Sequence, residues 1–292
     1  MSEGPILVTG ATGTIGSDVV RTLADTDRTV RVMTRHPERA AWLRELDVEV
    51  VRGDFLEPPT LAAAVEGVER AFLLSPNVRD MAEMQSNFVE AAEDAGVTHV
   101  VKLSAAGAKP ESSWDIARWH GEVEAEVESA SVEHTFIRPV SYMQNLLDDA
   151  ETIRSEGSFA RATPANAKIN VVDTRDVARV AARALLDSGH RGKTYKPAGP
   201  EPITFAQMAS ELSEVTGQPV AFRELSPQEA RATLLEDGAP EWLADAMVGL
   251  QVAFGKGIAD LNNDHVARVT GRSPRSFGTF AEDHADAFVR GD

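Results

Sequence analysis

The sequence predicts an α/β fold, a doubly wound parallel sheet with a smaller C-terminal α/β cap. Three observations predict it. Apolar, strand-like runs alternate with helix-periodic segments from residue 5 to residue 138, a pattern that calls for parallel pairing through right-handed crossovers. The first run, Ile6 to Val8, ends in Gly10, Gly13 and Gly16 and opens into Ser17–Ala24, where the apolar residues take helical spacing. Beyond residue 139 the pattern becomes irregular, with no internal repeat, low-complexity linker or clean boundary. The chain 1–292 therefore reads as a single unit, with about residues 140–168 and 200–292 forming the cap.

Strand, glycine turn and helix give the opening stretch its chemistry. Glycines let the backbone turn tightly and approach a pyrophosphate, while N–H groups at the helix start face the negative charge. The stretch Thr9-Gly-Ala-Thr-Gly-Thr-Ile-Gly16 is thus read as a Rossmann-type dinucleotide turn, with Gly10, Thr12, Gly13, Thr14, Ile15 and Gly16 as cofactor contacts. The second strand, Thr29–Thr34, stops at Arg35-His-Pro37, with Arg39 one turn on and no acid at its tip. An acid there favours NAD, whereas arginine accommodates a 2′-phosphate. Arg35 and Arg39 therefore point to NADP(H) over NAD(H).

A helix is expected from Glu38 to Leu46, then a strand at Val48–Val51 followed by Gly53-Asp54-Phe55, and a helix at Thr60–Val65. The fourth strand is Ala71–Pro76. Its end, Leu74 to Asn77 with Ser75 and Pro76, should lie against the cofactor, because ligands of open parallel sheets sit beyond the carboxyl ends of strands. A helix at Met81–Ala95 closes on Gly96; strand five is His99–Ser104, a helix spans Trp114–Ser129, and strand six is Glu133–Pro139. Later elements are a helix at Tyr142–Arg154, a strand at Ile169–Val172, a helix to Asp187, a strand at Thr194–Lys196, a capped helix from Thr204, a strand at Pro219–Arg223, broken helix over 226–255 and a last helix at Phe277–Val289.

Composition sets outer limits. The chain has 292 residues, 42% of them hydrophobic, enough for a substantial core, and no cysteine, which removes disulfides, cysteine–zinc sites and thiolate nucleophiles. The net charge of −17, from 46 acidic and 29 basic residues, disfavours nonspecific binding to nucleic acid or acidic lipid. Acid excess with few lysines resembles the surface of a protein from a high-salt cytoplasm. No apolar run spans a bilayer, and the start at Met1–Pro5 lacks a basic signal region, so the expected address is cytoplasmic. The His and acidic residues show no metal-ligand spacing, so no metal site is expected. The expected partners are a small-molecule substrate and, since dimers are the commonest assembly, a second copy as homodimer.

The glycine spacing G-x-x-G-x-x-G resembles the short-chain dehydrogenase/reductase superfamily in its extended and atypical branches. The resemblance implies that Asp54 meets the adenine amine and that Ser104 takes the superfamily's serine position. It also implies a Tyr-x-x-x-Lys pair, which is absent; His120-Gly-Glu-Val-Glu124 stands there instead. Trp119–Glu124, Thr135-Phe-Ile-Arg138-Pro139 and Tyr142-Met-Gln-Asn145 narrow the resemblance to the NmrA-like atypical branch. That branch implies NADPH-dependent quinone or azo-compound reduction, or redox sensing through a protein partner without turnover; an epimerase role is disfavoured by the missing tyrosine. It also implies that the segment holding Pro139, Tyr142 and Asn145 skirts the nicotinamide.

His120 is the leading candidate for proton donation, with Ser104 as a hydroxyl for a substrate oxygen, and either residue has an alternative role at the cofactor. His120 lies four residues before Glu124, so both share one helix face, and the carboxylate is expected to support an imidazolium. Lys102, inside strand five, reads as structural. Trp114, Trp119 and Met143 read as core packing or an apolar pocket.

Overall fold

The computed structural model describes residues 4–289, the Arg44 side chain excepted. Met1–Glu3 and Arg290–Asp292, which belong to the expected amino-terminal and cap segments, lie outside the described residues. The chain divides into two compact units. The first takes in residues up to Pro139, Thr174–Pro197 and Arg268–Gly271; the second takes in Val140–Asp173, Ala198–Ala267 and residues from Arg272.

The first unit follows the alternation in the sequence. β1 (Ile6–Val8), α1 (Thr14–Ala24), β2 (Val30–Thr34), β3 (Glu49–Arg52), α2 (Pro58–Val65), β4 (Arg70–Leu73), α3 (Met81–Asp94), β5 (His99–Leu103), α4 (Asp115–Ser129) and β6 (Glu133–Ile137) succeed one another. With a seventh strand, Lys193–Tyr195, they form one sheet in which Lys193–Tyr195 lies beside β6, followed by β5, β4, β1, β2 and β3. Every pairing in it is parallel. Val8 sits opposite Val32 of β2 and Phe72 of β4, so chain order reverses at β1 and opens a crevice beyond its carboxyl end.

Strands buried on both faces carry near-continuous apolar runs. Leu7, Leu61, Val65, Phe88, Val123 and Phe136 join one cluster that seats α2, α3 and α4 on the sheet. Ile15, Val19 and Leu23 recur every four residues on the buried stripe of α1, which packs against the helix Thr174–Leu186.

One element departs from the periodicity. Glu38–Leu46 is not an α-helix but two short 3-10 segments, Pro37–Arg39 and Ala41–Glu45. Pro37 starts the first, and Ala40 leaves helical geometry between them (φ −103°, ψ 47°).

The second unit holds three two-stranded pairings. Ser141–Tyr142 runs parallel to Val171–Val172, Ser158–Arg161 parallel to Ala221–Glu224, and Lys168–Ile169 antiparallel to Ile203–Thr204. The expected Ile169–Val172 strand is split at Asn170. Its side chain turns inward, accepting the Gly199 N–H at 2.6 Å and donating to Leu261 O at 2.7 Å. The expected Tyr142–Arg154 helix begins as the strand Ser141–Tyr142 and a 3-10 turn, Met143–Asp149, and becomes α-helical only over Ala150–Glu156. Phe159, Phe205, Leu212, Phe280 and Phe288 anchor this unit's core. Capping boxes at Thr204/Gln207 and Ser226/Glu229 start two of its helices. Among the described residues no helix is long and apolar enough to cross a membrane.

Candidate functional site

Thr9 fixes where the glycine turn begins. Its buried hydroxyl lies 3.0 Å from the Phe72 and Leu74 carbonyl oxygens and accepts the Leu74 N–H at 2.8 Å. The end of β1 is thereby tied to the end of β4. Gly10 follows with φ 64°, where a Cβ would stand 2.7 Å from Leu74 Cγ. Gly16 lies so close under the turn that a Cβ would stand 2.1 Å from Gly10 O. The fold itself requires glycine at both positions.

Gly13 is different. It is exposed, its φ is −89°, and it brings no side-chain cap to α1. A Cβ there would meet only Gly10 O, at 3.4 Å. Internal packing gives little reason for glycine at this position, whereas a pyrophosphate seated on the uncapped first-turn amides gives a direct one. The turn fits a dinucleotide on that ground. Thr12 and Thr14 are exposed beside Gly13, and Ile15 buries its side chain, leaving only its backbone to the turn.

Beyond β2, Arg35 and Arg39 are both exposed; the Arg39 backbone N–H donates to His36 O at 3.0 Å, and neither guanidinium bonds a described residue. After β3, one carboxylate oxygen of the half-buried Asp54 accepts the Leu56 N–H at 3.0 Å. This is a local turn rather than a cap on α2, whose own cap position is Glu57. Phe55 is a core residue set edge-on to Phe88, with ring centroids 6.0 Å apart. After β4, Ser75 is buried and accepts the Gln85 amide at 2.8 Å, while Pro76 and Asn77 are exposed.

The end of β5 holds the second group of predicted residues. Ser104 N–H donates to Ile137 O at 2.7 Å, and Ala106 N–H to Pro139 O at 2.9 Å, so the loop after β5 is tied to the end of β6. The loop then crosses α4 at Gly121, where a Cβ would stand 2.1 Å from the Lys109 backbone. Ser104 Oγ is buried and has no hydrogen-bond partner among the described residues.

His120 is 6% exposed, and its Nδ1 lies 2.8 Å from Nζ of Lys102, which is fully buried. Burial, then the Glu124 carboxylate opposing it and Arg138 reinforcing it, brings the Lys102 ammonium down to about 7. Burial and the neighbouring Lys102 hold His120 well below its ordinary value. One expectation is corrected here: Glu124 does not support an imidazolium, being 3% exposed and held by Arg138 through both carboxylate oxygens, with Nε–Oε1 at 2.9 Å. The Lys102 head group, buried within the strand, ends on His120. Burial and Lys102 both favour the neutral imidazole of His120 beside the lysine head group. A lysine inside the otherwise apolar run Val100-Val-Lys-Leu103 was the available signal, because such a group is not buried without a partner.

Tyr142 and Asn145 belong to the second unit. Tyr142 is half-buried, with burial pushing its hydroxyl pKa up, and Asn145 is exposed. Met143 lies in that unit's core, Trp119 is buried in the first unit, and Trp114 is 38% exposed.

Residues 2–270 match the NmrA-like family. An NAD(P)H azoreductase of Xenophilus azovorans is 38% identical over 97% of this chain and 99% of its own length. A (4-alkanoyl-5-oxo-2,5-dihydrofuran-3-yl)methyl phosphate reductase of Streptomyces griseus is 39% identical, again over 97% and 99%. The crystal structure of an NADPH-dependent quinone oxidoreductase from Escherichia coli in complex with NADPH superposes with a TM-score of 0.87 at 28% identity, covering 96% of this chain and 99% of that one.

Proposed function

Because the chain belongs to the NmrA-like family, we propose that it is an NADPH-preferring oxidoreductase that passes hydride to a quinone-like or other small electrophile. The observation that carries this reading is the turn at Gly13, open to a pyrophosphate where the fold has little need of glycine. The azo, butenolide and quinone chemistry in the names of its relatives supports the choice of substrate class.

When bound, the nicotinamide supplies the hydride. The chain's own residues hold and orient it: the amides opening α1 take the pyrophosphate, and Arg35 and Arg39 the 2′-phosphate. Asp54 has a second carboxylate oxygen for the adenine amine, and Ser104 a hydroxyl for a substrate oxygen. Pro76, Asn77 and Pro139 are assigned to the nicotinamide side. Phe55 and Ser75 support the site from the core, through Phe88 and Gln85.

The test is loss of NADPH absorbance with purified protein against quinones, azo dyes and aldehydes. Saturable turnover with one class is expected. Tight NADPH binding without turnover on any of them would replace this reading with a redox sensor acting on a protein partner. Arg35→Asp should shift preference from NADPH toward NADH, read as the ratio of the two kcat/KM values; an unchanged ratio would remove the arginines from the cofactor assignment.

A further inference from the structure

The end of β5 buries two basic groups against each other. Lys102 Nζ approaches His120 Nδ1 at 2.8 Å, and among the described residues its one further partner is the Leu103 carbonyl, at 3.3 Å. A buried amine and a buried imidazole in contact cannot both be protonated without strong repulsion, and with no proton between them they lose the hydrogen bond. The charged groups facing them are Glu124 of α4 and Arg138 after β6, and these two are engaged with one another. His120 Nε2 bonds no described residue, and it belongs to the part of the pair that keeps some exposure.

We propose that Lys102 and His120 share one proton, and that the pair, with His120 as the group in contact, is the proton source for the reduced substrate. This rests on the reductase reading above. Lys102 is a positioning residue that acts through His120. At the start Lys102 is an ammonium donating to Nδ1, and the imidazole carries its single proton on Nε2. As the Nε2 proton passes to an anionic oxygen or nitrogen of the reduced substrate, the Lys102 proton moves to Nδ1. The pair ends as a neutral amine and a neutral imidazole protonated on Nδ1, and solvent then returns one proton. The electrons arrive as the hydride of the proposed reaction; the pair adds only the proton. No imidazolium is formed, so the low proton affinity of His120 is no obstacle.

The arrangement is tested first on the intact wild-type chain without substrate. Nitrogen-15 NMR of its 7 histidines, with His120 assigned by loss of its signals in His120→Gln, reads the tautomer directly. The expected result is a neutral His120 protonated on Nε2, whose Nδ1 shift moves with a midpoint near 7, where Lys102 loses its proton. A His120 protonated on Nδ1 across the range, or an imidazolium at pH 6, would overturn the shared proton whatever the activity.

The second arm is turnover of NADPH with an azo acceptor. In wild type, kcat should fall as pH rises through about 7. Lys102→Met should remove that limb and lower kcat on the order of 10²-fold with KM for NADPH unchanged. Lys102→Arg keeps a cation but no titrating proton and should remove the limb as well. A limb that survives in both variants, or a flat wild-type profile, would overturn the pair as proton source. Absence of turnover with every acceptor would defeat the reductase reading and the proton-source role together, while the NMR arm separately decides the shared proton.

Discussion

β5 buries a histidine contact at each end, and the two contacts are built on opposite principles. At its amino end, His99 is 2% exposed and its Nε2 meets Thr135 Oγ1 at 2.9 Å. The Thr135 hydroxyl in turn donates to His190 O at 2.7 Å, so it accepts from His99, and the chain of bonds closes on neutral groups. At its carboxyl end, Lys102 meets His120, and the partner is itself a base. A closed neutral chain can only hold a structure together. A contact between two titratable groups has two arrangements of its proton, and the difference in chemistry follows from whether the partner is a hydroxyl or an amine.

The largest expected effect comes from breaking the ion pair beside the carboxyl-end contact. Arg138→Met leaves Glu124 buried without its counterion and should cost about 3–5 kcal/mol in denaturant unfolding. It should also raise the Lys102 pKa, since Arg138 is one of the groups holding it down. The alkaline limb of turnover should then move to higher pH. A limb that stays in place while stability falls would separate Arg138 from the proton site.

The pH dependence of stability should separate the two ends next. Burial holds His99 at about 4, with Arg191 and Arg70 adding to the effect. Between about 4 and an ordinary unfolded value near 6.5 the unfolded chain binds a proton at this position that the native chain does not, so stability falls as pH drops through that window. Lys102 acts in the same sense between about 7 and 10.5, where only the unfolded lysine is protonated, so stability rises with pH across that range. Each full slope is about 1.4 kcal/mol per pH unit. Subtracting the profile of Lys102→Met from that of wild type should reveal the upper window together with a low-pH change from His120, which Lys102 helps hold down, and His99→Leu should remove only the His99 window. A His99→Leu profile that also loses the upper window would show that the two ends are coupled.

The same contrast explains what could be read from the chain. The sheet of the first unit was legible because its signals are local: apolar runs, alternation, and Gly10, Gly13 and Gly16 within seven residues. The glycine turn was legible for the same reason. The Lys102–His120 contact was not, because 18 residues separate the partners and only the packing of α4 on the sheet brings them together. Glu124 pointed the wrong way: helical spacing put it on the same face as His120, but Arg138, from the end of β6, claimed it. In the second unit the strand pairings are two to four residues long, and the stretch Ile169–Val172, which reads as one short strand, is divided at Asn170, whose side chain accepts the Gly199 N–H.

The smallest expected effect falls on the neutral end. Thr135→Val keeps the shape of the side chain and removes its hydroxyl, leaving the His99 N–H and the His190 carbonyl without that partner. Losing partners for buried polar groups should cost about 1–3 kcal/mol. The midpoint of the turnover limb should stay where it is, because among the described residues the Thr135 hydroxyl bonds His99 and the His190 carbonyl, not Lys102 or His120. Thr135→Ser, which restores the hydroxyl, should recover most of the stability. If Thr135→Val instead moves the turnover midpoint, the amino end of β5 is not merely structural, and the distinction between a hydroxyl partner and an amine partner fails as an account of the two contacts.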